Sequence, residues 1–167
     1  MEQLIKKETP EITVDNLAPP YSDYEFFQNC DQLPFRYQAN MFAMVNAWWL
    51  IEASTLVYAD PQIAIETFKQ QAGFTEVVYF EEKVTQCFVA SNDRFAIVAF
   101  RGSEARLREG DPNPGYIYAD WLANFNFLPE EWDYGGKVHR GFKAALSEVW
   151  NALEAHLTQL QQNNLKI

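Results

Sequence analysis

The sequence predicts an α/β fold. Three observations carry that prediction: an uninterrupted apolar run, Phe95–Phe100 (FAIVAF); two β-rich runs just before it; and helical periodicity on both sides of this β region. A strand without polar alternation has no solvent face. That is the state of an inner strand in a sheet covered by helices on each side.

The elements follow in order. Residues 1–34 form an irregular N-terminal segment, punctuated by Pro10, Pro19, Pro20 and Pro34. The aromatic side chains of Tyr21, Tyr24, Phe26 and Phe27 are expected to pin it to the core. Residues 35–167 form the domain. Arg36 to about Tyr58 lacks glycine and proline and is apolar on most sides, which predicts a largely buried helix. Asp60-Pro61 has the form of an N-cap followed by proline at the first helical position, and the helix it opens should run to about Ala72, where Gly73 stops it. Thr75–Phe80 and Val84–Ala90 are β-rich runs separated by Glu81-Glu82-Lys83, a hairpin pattern, and Ser91-Asn92-Asp93 is a turn before the apolar strand.

After Arg101 the sequence turns to breakers: Gly110, Asp111-Pro112 and Asn113-Pro114-Gly115. A short helix is expected at Tyr118–Asn126, and loop again from Pro129 to Gly136. Phe142, Leu146, Val149, Leu153, Leu157 and Leu160 then recur at helical spacing, a single apolar stripe on a helix from about His139 to Gln162. Asn163-Asn164 ends it, and Leu165-Lys166-Ile167 reads as the opening of another strand.

Composition narrows the function. The 167 residues are 48% hydrophobic and 16% aromatic, a globular balance. The formal net charge is −10, with no basic stripe, which argues against nucleic acid and against anionic membrane surfaces as partners. Cys30 and Cys87 lie far apart and form no CxxC, so metal binding through them is not expected, and a disulfide is possible but not demanded; no metal or cofactor is expected. No apolar run approaches a membrane span, and no secretory h-region is visible, so a cytoplasmic home is the expectation.

In open α/β sheets, reactive residues gather at the carboxyl ends of strands. Arg101-Gly102-Ser103 occupies that position after the apolar strand. Phe100-Arg101-Gly102-Ser103 resembles the F-R-G-[ST] signature of class 3 (fungal-type) lipases. Thr85-Gln86-Cys87-Phe88-Val89-Ala90 is similar to their T-Q-x-F-V-A strand, Asp120-Trp121-Leu122 to their D-W-L element, and Val138-His139-Arg140-Gly141-Phe142 to their V-H-x-G-F helix start. Each motif alone is weak, but four in the family's order through residues 85–142 are a strong signal. Two departures are visible: Asn124 stands where many members carry a second acidic residue, and Trp48-Trp49 where smaller residues are usual.

The resemblance implies part of an α/β-hydrolase sheet with flanking helices, lacking its C-terminal half. It implies a carboxylic ester (acylglycerol) hydrolase of lipid metabolism, working through a Ser-His-Asp triad whose serine sits in a G-x-S-x-G elbow. No Gly-x-Ser-x-Gly occurs in the sequence, so the triad is expected to lie outside it. Ser103 carries over as an oxyanion-hole residue only, the plain alternative being an N-cap of the following turn. Gly102 is expected to permit either close backbone approach or a positive φ, and Arg101 to pair with an acid, Asp120 being the candidate. Residues 104–118 stand where such lipases carry a lid, and an ordinary surface loop explains them equally well. Asp120, Trp121, His139, Gly141 and Phe142 are expected to be structural. His139 opens a helix and is not a base, His156 has no motif around it, and Glu81-Glu82 and Glu130-Glu131 read as solvated charge.

Three functional readings follow: a lipase fragment that is inactive alone and takes an ester or lipid substrate once a second half completes it; a non-catalytic domain binding an acyl chain or a protein; and an enzyme using other residues. The first is preferred. It carries the expectation that the apolar strand has a bare edge, open to self-association or to a second polypeptide.

Overall fold

A computed structural model describes residues 24–83, 85–102, 128–163 and 165–167. Their elements are α1 (Met44–Leu56), α2 (Pro61–Gln70), β1 (Glu76–Glu81), β2 (Gln86–Ser91), β3 (Ala96–Phe100), β4 (Pro129–Glu131), β5 (Lys137–His139) and α3 (Arg140–Gln162). β1, β2 and β3 form an antiparallel three-stranded sheet in that order, and β4 and β5 form a separate antiparallel pair.

The three-stranded sheet lies between two helical layers. Register places Val77 opposite Ala90, Tyr79 opposite Phe88, Ala90 opposite Ile97 and Phe88 opposite Ala99, so these side chains share a face. That face packs on Trp49, Ala53 and Leu56 of α1 and on Ala64 and Phe68 of α2. The opposite face offers Phe80, Cys87, Val89, Ala96 and Val98 to Val149, Leu153 and Leu160 of α3. The absence of polar alternation in β2 and β3 therefore has a physical cause: both faces are covered. The described residues thus have α/β character, with antiparallel strands.

Local chemistry sets the boundaries. The Asp60 side chain accepts from Gln62 N at 2.9 Å and caps α2, with Pro61 at its first position. Gly73, at φ 71°, ends that helix by letting Phe74 N reach back to Phe68 O at 3.2 Å. β1 and β2 pair as the hairpin pattern predicts, and β1 is flanked by Glu76 and Glu81 at its ends.

α1 differs from the sequence expectation in length and in burial. Residues 36–43 are not helical, because the Asn46 side chain brackets Arg36, accepting from its N–H at 2.8 Å and donating to its carbonyl at 3.0 Å. The helix is also not enclosed. Trp49, Glu52, Ala53 and Leu56 are buried, while Met44, Leu50 and Ile51 are exposed, since among the described residues packing comes from one side. Residues 129–136, expected as loop, instead contain β4 and the turn to β5. Gly135 and Gly136, at φ 97° and 81°, close that turn with Trp132 N donating to Gly136 O. In α3 the stripe holds for Leu146, Val149, Leu153, Leu157 and Leu160, but Phe142 is 61% exposed and lies against the His139 ring instead.

The N-terminal segment is anchored as its aromatics predict, at least from residue 24 onward. Phe27 is buried in the α1/α2 core and Phe26 packs against it. Tyr21 lies outside the described residues, as do the expected helix at 118–126 and the lid candidate at 104–118.

Both cysteines are free thiols. Burial beneath α3 pushes the Cys87 thiol from its ordinary 9.0 up to about 11. The unfolded chain therefore loses this proton first, and stability falls as pH rises from 9.0 toward 11, after being unaffected by this group at lower pH. The full loss, reached only above pH 11, is about 3 kcal/mol. Urea unfolding at pH 7 and at pH 10.5 checks it: the alkaline loss should shrink by about 2 kcal/mol in Cys87→Ala.

Candidate functional site

The site begins where β3 ends. Arg101 N donates to Gln86 O at 2.8 Å, so the ladder runs one residue past the strand and Gly102 is the first residue clear of it. The Arg101 side chain turns back along the sheet. Its Nη1 donates to Gln86 Oε1 at 3.1 Å, and its guanidinium lies 5.4 Å from the centre of the Tyr58 ring. Gln86 thus holds Arg101 by backbone and by side chain. The neighbouring Thr85 hydroxyl donates to Ala145 O of α3 at 2.6 Å, tying the other helical layer to the start of β2.

Tyr58 reaches this point because α1 runs alongside β3 in the same direction. Trp49, midway along α1, meets Phe95 at the start of β3, and Tyr58, just past the helix end, meets Arg101 and Gly102 at its finish. A Cβ on Gly102 would come 2.5 Å from the Tyr58 hydroxyl, with the next ring atom at 3.8 Å. Close approach, and not a left-handed backbone, is what glycine permits here. Gly102→Ala is expected to cost about 1 kcal/mol by pushing the Tyr58 ring aside. In a Tyr58→Phe background the same change should cost little, because the clashing oxygen is gone. Thermal unfolding of the two single variants and the double variant reads this coupling directly.

The second motif cluster lies at the start of α3. His139 ends β5 and caps α3, its Nδ1 accepting from Phe142 N at 3.3 Å while the two rings stack at 4.4 Å. A ring nitrogen engaged by a helix N–H serves structure. Gly141 is buried in the first turn. Lys143 joins α3 to β4, with Nζ 3.1 Å from Glu130 Oε1 and donating to Glu131 O at 2.7 Å; Arg140 Nε lies 3.3 Å from Glu130 Oε2. Glu130 is therefore paired with two cations. Glu81 Oε1 accepts from Gln86 Nε2 at 2.7 Å. His156 lies beside Phe80, and its Nε2 has no hydrogen-bond partner among the described residues.

Of the residues singled out from sequence, Arg101 and Gly102 stand together at the end of β3, and His139, Gly141 and Phe142 together at the start of α3. Ser103, Asp120 and Trp121 lie outside the described residues, and with them the expected Arg101–Asp120 pair. Tyr58 was not singled out. Its position beside Gly102 depends on the direction of α1, which no local pattern encodes.

An open pocket of about 590 Å³ lies elsewhere, between residues 24–31 and Thr67 and Gln71, and none of these motif residues lines it. Among the described residues no group of three or more His, Cys, Asp or Glu side chains is placed to hold a metal ion, and no helix is long and apolar enough to cross a membrane. Comparison with family models, with curated proteins and with solved structures finds no match for this chain.

Proposed function

We propose that the chain is the oxyanion-bearing part of a class 3 lipase-like carboxylic ester hydrolase acting on acylglycerol-type lipids. One observation supports this reading most: an apolar strand, covered on both faces, ends in Arg101 and Gly102, so the backbone leaves the sheet directly into Ser103. Two further features accord with it. The Thr85-Gln86 dipeptide, quoted above for its resemblance, ties α3 and Arg101 to the sheet. Lys166 also runs parallel to the start of β3, on the side opposite β2.

The chemistry assigned to these residues is acyl transfer. A serine hydroxyl attacks the ester carbonyl, the carbonyl oxygen takes up negative charge, and the alcohol leaves as the acyl-serine forms; water then repeats the sequence to release the acid. Ser103 serves the charged oxygen in both steps, through its N–H and its hydroxyl. The 167-residue sequence holds no Gly-x-Ser-x-Gly. The chain alone is therefore expected to leave a nitrophenyl butyrate unhydrolysed, and turnover sensitive to serine-directed inhibitors would contradict the reading.

The positive test supplies the nucleophile. The chain joined to the C-terminal half of a class 3 lipase, bearing its G-x-S-x-G elbow, should hydrolyse the ester. Ser103→Ala should then lower kcat by roughly 100- to 1,000-fold with little change in KM. A folded, active chimera indifferent to Ser103→Ala would overturn the assignment.

A further inference from the structure

The registers of β1, β2 and β3 bring three side chains into one row across the sheet. Glu81 stands opposite Gln86, and Cys87 opposite Phe100. The next pair outward is therefore Gln86 with Arg101, joined by Arg101 N donating to Gln86 O. Facing residues share a side of the sheet, and so do residues two apart on one strand. The row thus lies on the side that carries Tyr79, Phe88 and Ala99, which is the side toward α1 and α2. It crosses the sheet at the end where β3 finishes.

The three side chains are joined end to end. Gln86 Nε2 donates to Glu81 Oε1 at 2.7 Å, and Arg101 Nη1 donates to Gln86 Oε1 at 3.1 Å. An amide has one donating and one accepting end. With Glu81 holding the donating end, the oxygen is left to face the guanidinium; turned over, the amide would set N–H against N–H and lose both bonds. The carboxylate at one end and the guanidinium at the other make both bonds charge-assisted. Glu81 is exposed, so it fixes an orientation and supplies little Coulomb energy. Beyond the row, the guanidinium lies 5.4 Å from the centre of the Tyr58 ring, and the Tyr58 hydroxyl occupies the space that a Cβ on Gly102 would need. One run of contacts therefore leads from Glu81 on β1 to the first residue that leaves β3.

We infer that Glu81 and Gln86 are positioning residues for the turn at Gly102. They act through Arg101 and Tyr58: the row holds the guanidinium still, the guanidinium holds the ring, and the ring confines the Gly102 backbone. Neither residue is assigned a contact with a reacting atom. The catalytic consequence rests on the hydrolase proposal, in which this turn leads to the group that meets the oxyanion; the row itself does not. Misplacing a stabilising group by ~1 Å can cost ~100-fold in rate, so remote contacts of this kind bear on kcat.

The test begins with the full chain, read by nuclear magnetic resonance. The Arg101 Cδ protons should carry a ring-current shift from Tyr58, which Tyr58→Leu removes. Glu81→Ala, a change at an exposed site, should reduce that shift and lower the order parameter of the Gly102 amide while the unfolding midpoint stays nearly constant. Glu81→Gln keeps an acceptor toward Gln86 and should restore both signals. Gln86→Met keeps the side-chain length and the backbone ladder, and should lose both signals; if it fails to fold, the two Glu81 variants decide. In the lipase chimera, Gln86→Met should lower kcat roughly tenfold with KM unchanged. Three results would each overturn the inference: an Arg101 shift indifferent to both Glu81→Ala and Gln86→Met, a shift that changes while Gly102 stays as ordered as before, and an active chimera whose kcat Gln86→Met leaves unchanged. If the full-chain variants behave as expected and the unsubstituted chimera hydrolyses nothing, the hydrolase proposal fails and the positioning row stands.

Discussion

Trp49→Ala is expected to destabilise the chain by about 3–5 kcal/mol, the largest effect of any single substitution considered. The indole is 4% exposed and sits where three parts of the chain meet. It touches Phe27 and Phe35 of the N-terminal segment, Phe74 at the entry to the sheet and Phe95 at the start of β3, at centroid distances of 5.2 to 6.1 Å. Its Nε1 donates to Leu33 O at 2.8 Å, so truncation also leaves a carbonyl without its donor. Chemical denaturation followed by far-UV circular dichroism measures the loss. Trp49→Phe should recover much of the packing but not the bond. A Trp49→Ala loss under 1 kcal/mol would show that the aromatic cluster is not a cooperative core.

Glu52→Ala follows, at about 2–3 kcal/mol. Glu52 is 4% exposed, yet it is the only charged residue type in α1. One carboxyl oxygen accepts from the Tyr24 hydroxyl at 2.5 Å and the other from Phe27 N at 3.0 Å. Phe27 adopts φ 53° and Asn29 φ 62°, a left-handed conformation that costs a bulky residue energy. Glu52 thus fastens a strained turn whose aromatic ring completes the core. Alanine would strand the Phe27 N–H and free the turn. Glutamine, which keeps an acceptor for that N–H, should restore about half of the loss. The diagnostic readout is proteolysis: cleavage near residues 24–31 should rise in Glu52→Ala before global unfolding does.

What the sequence made legible follows from where the cause is local. Asp60-Pro61 and Gly73 bound α2 because a cap, a fixed φ and a positive φ each reside in single residues. FAIVAF announced a strand covered on both faces because burial on both sides removes any polar alternation. The α3 stripe declared its buried side, apart from Phe142, which found the His139 ring outside the core. The errors have non-local causes. The start of α1 was displaced by a bond from Asn46 to Arg36, ten residues away. Glu52 acquires its role only through partners 25 and 28 residues away, which no local pattern encodes. The short β4–β5 pair depends on two glycines and on Glu130 and Lys143, and its strands are too short to show a period. At the candidate site, Arg101 and Gly102 were found from their place after β3. Gln86 and Tyr58 acquire their roles only through register and helix direction.

The account depends on β3, bonded to β2 along one side and covered on both faces, handing Arg101 and Gly102 to the end of the sheet. Backbone amide hydrogen exchange across residues 95–101 tests this most directly. Ile97, Ala99 and Arg101, bonded to β2, should exchange only with global unfolding, while Val98 and Phe100, facing the outer edge, should exchange at least ~100-fold faster. Rapid exchange at Ile97, Ala99 and Arg101, or protection that fails to alternate along the strand, would contradict it.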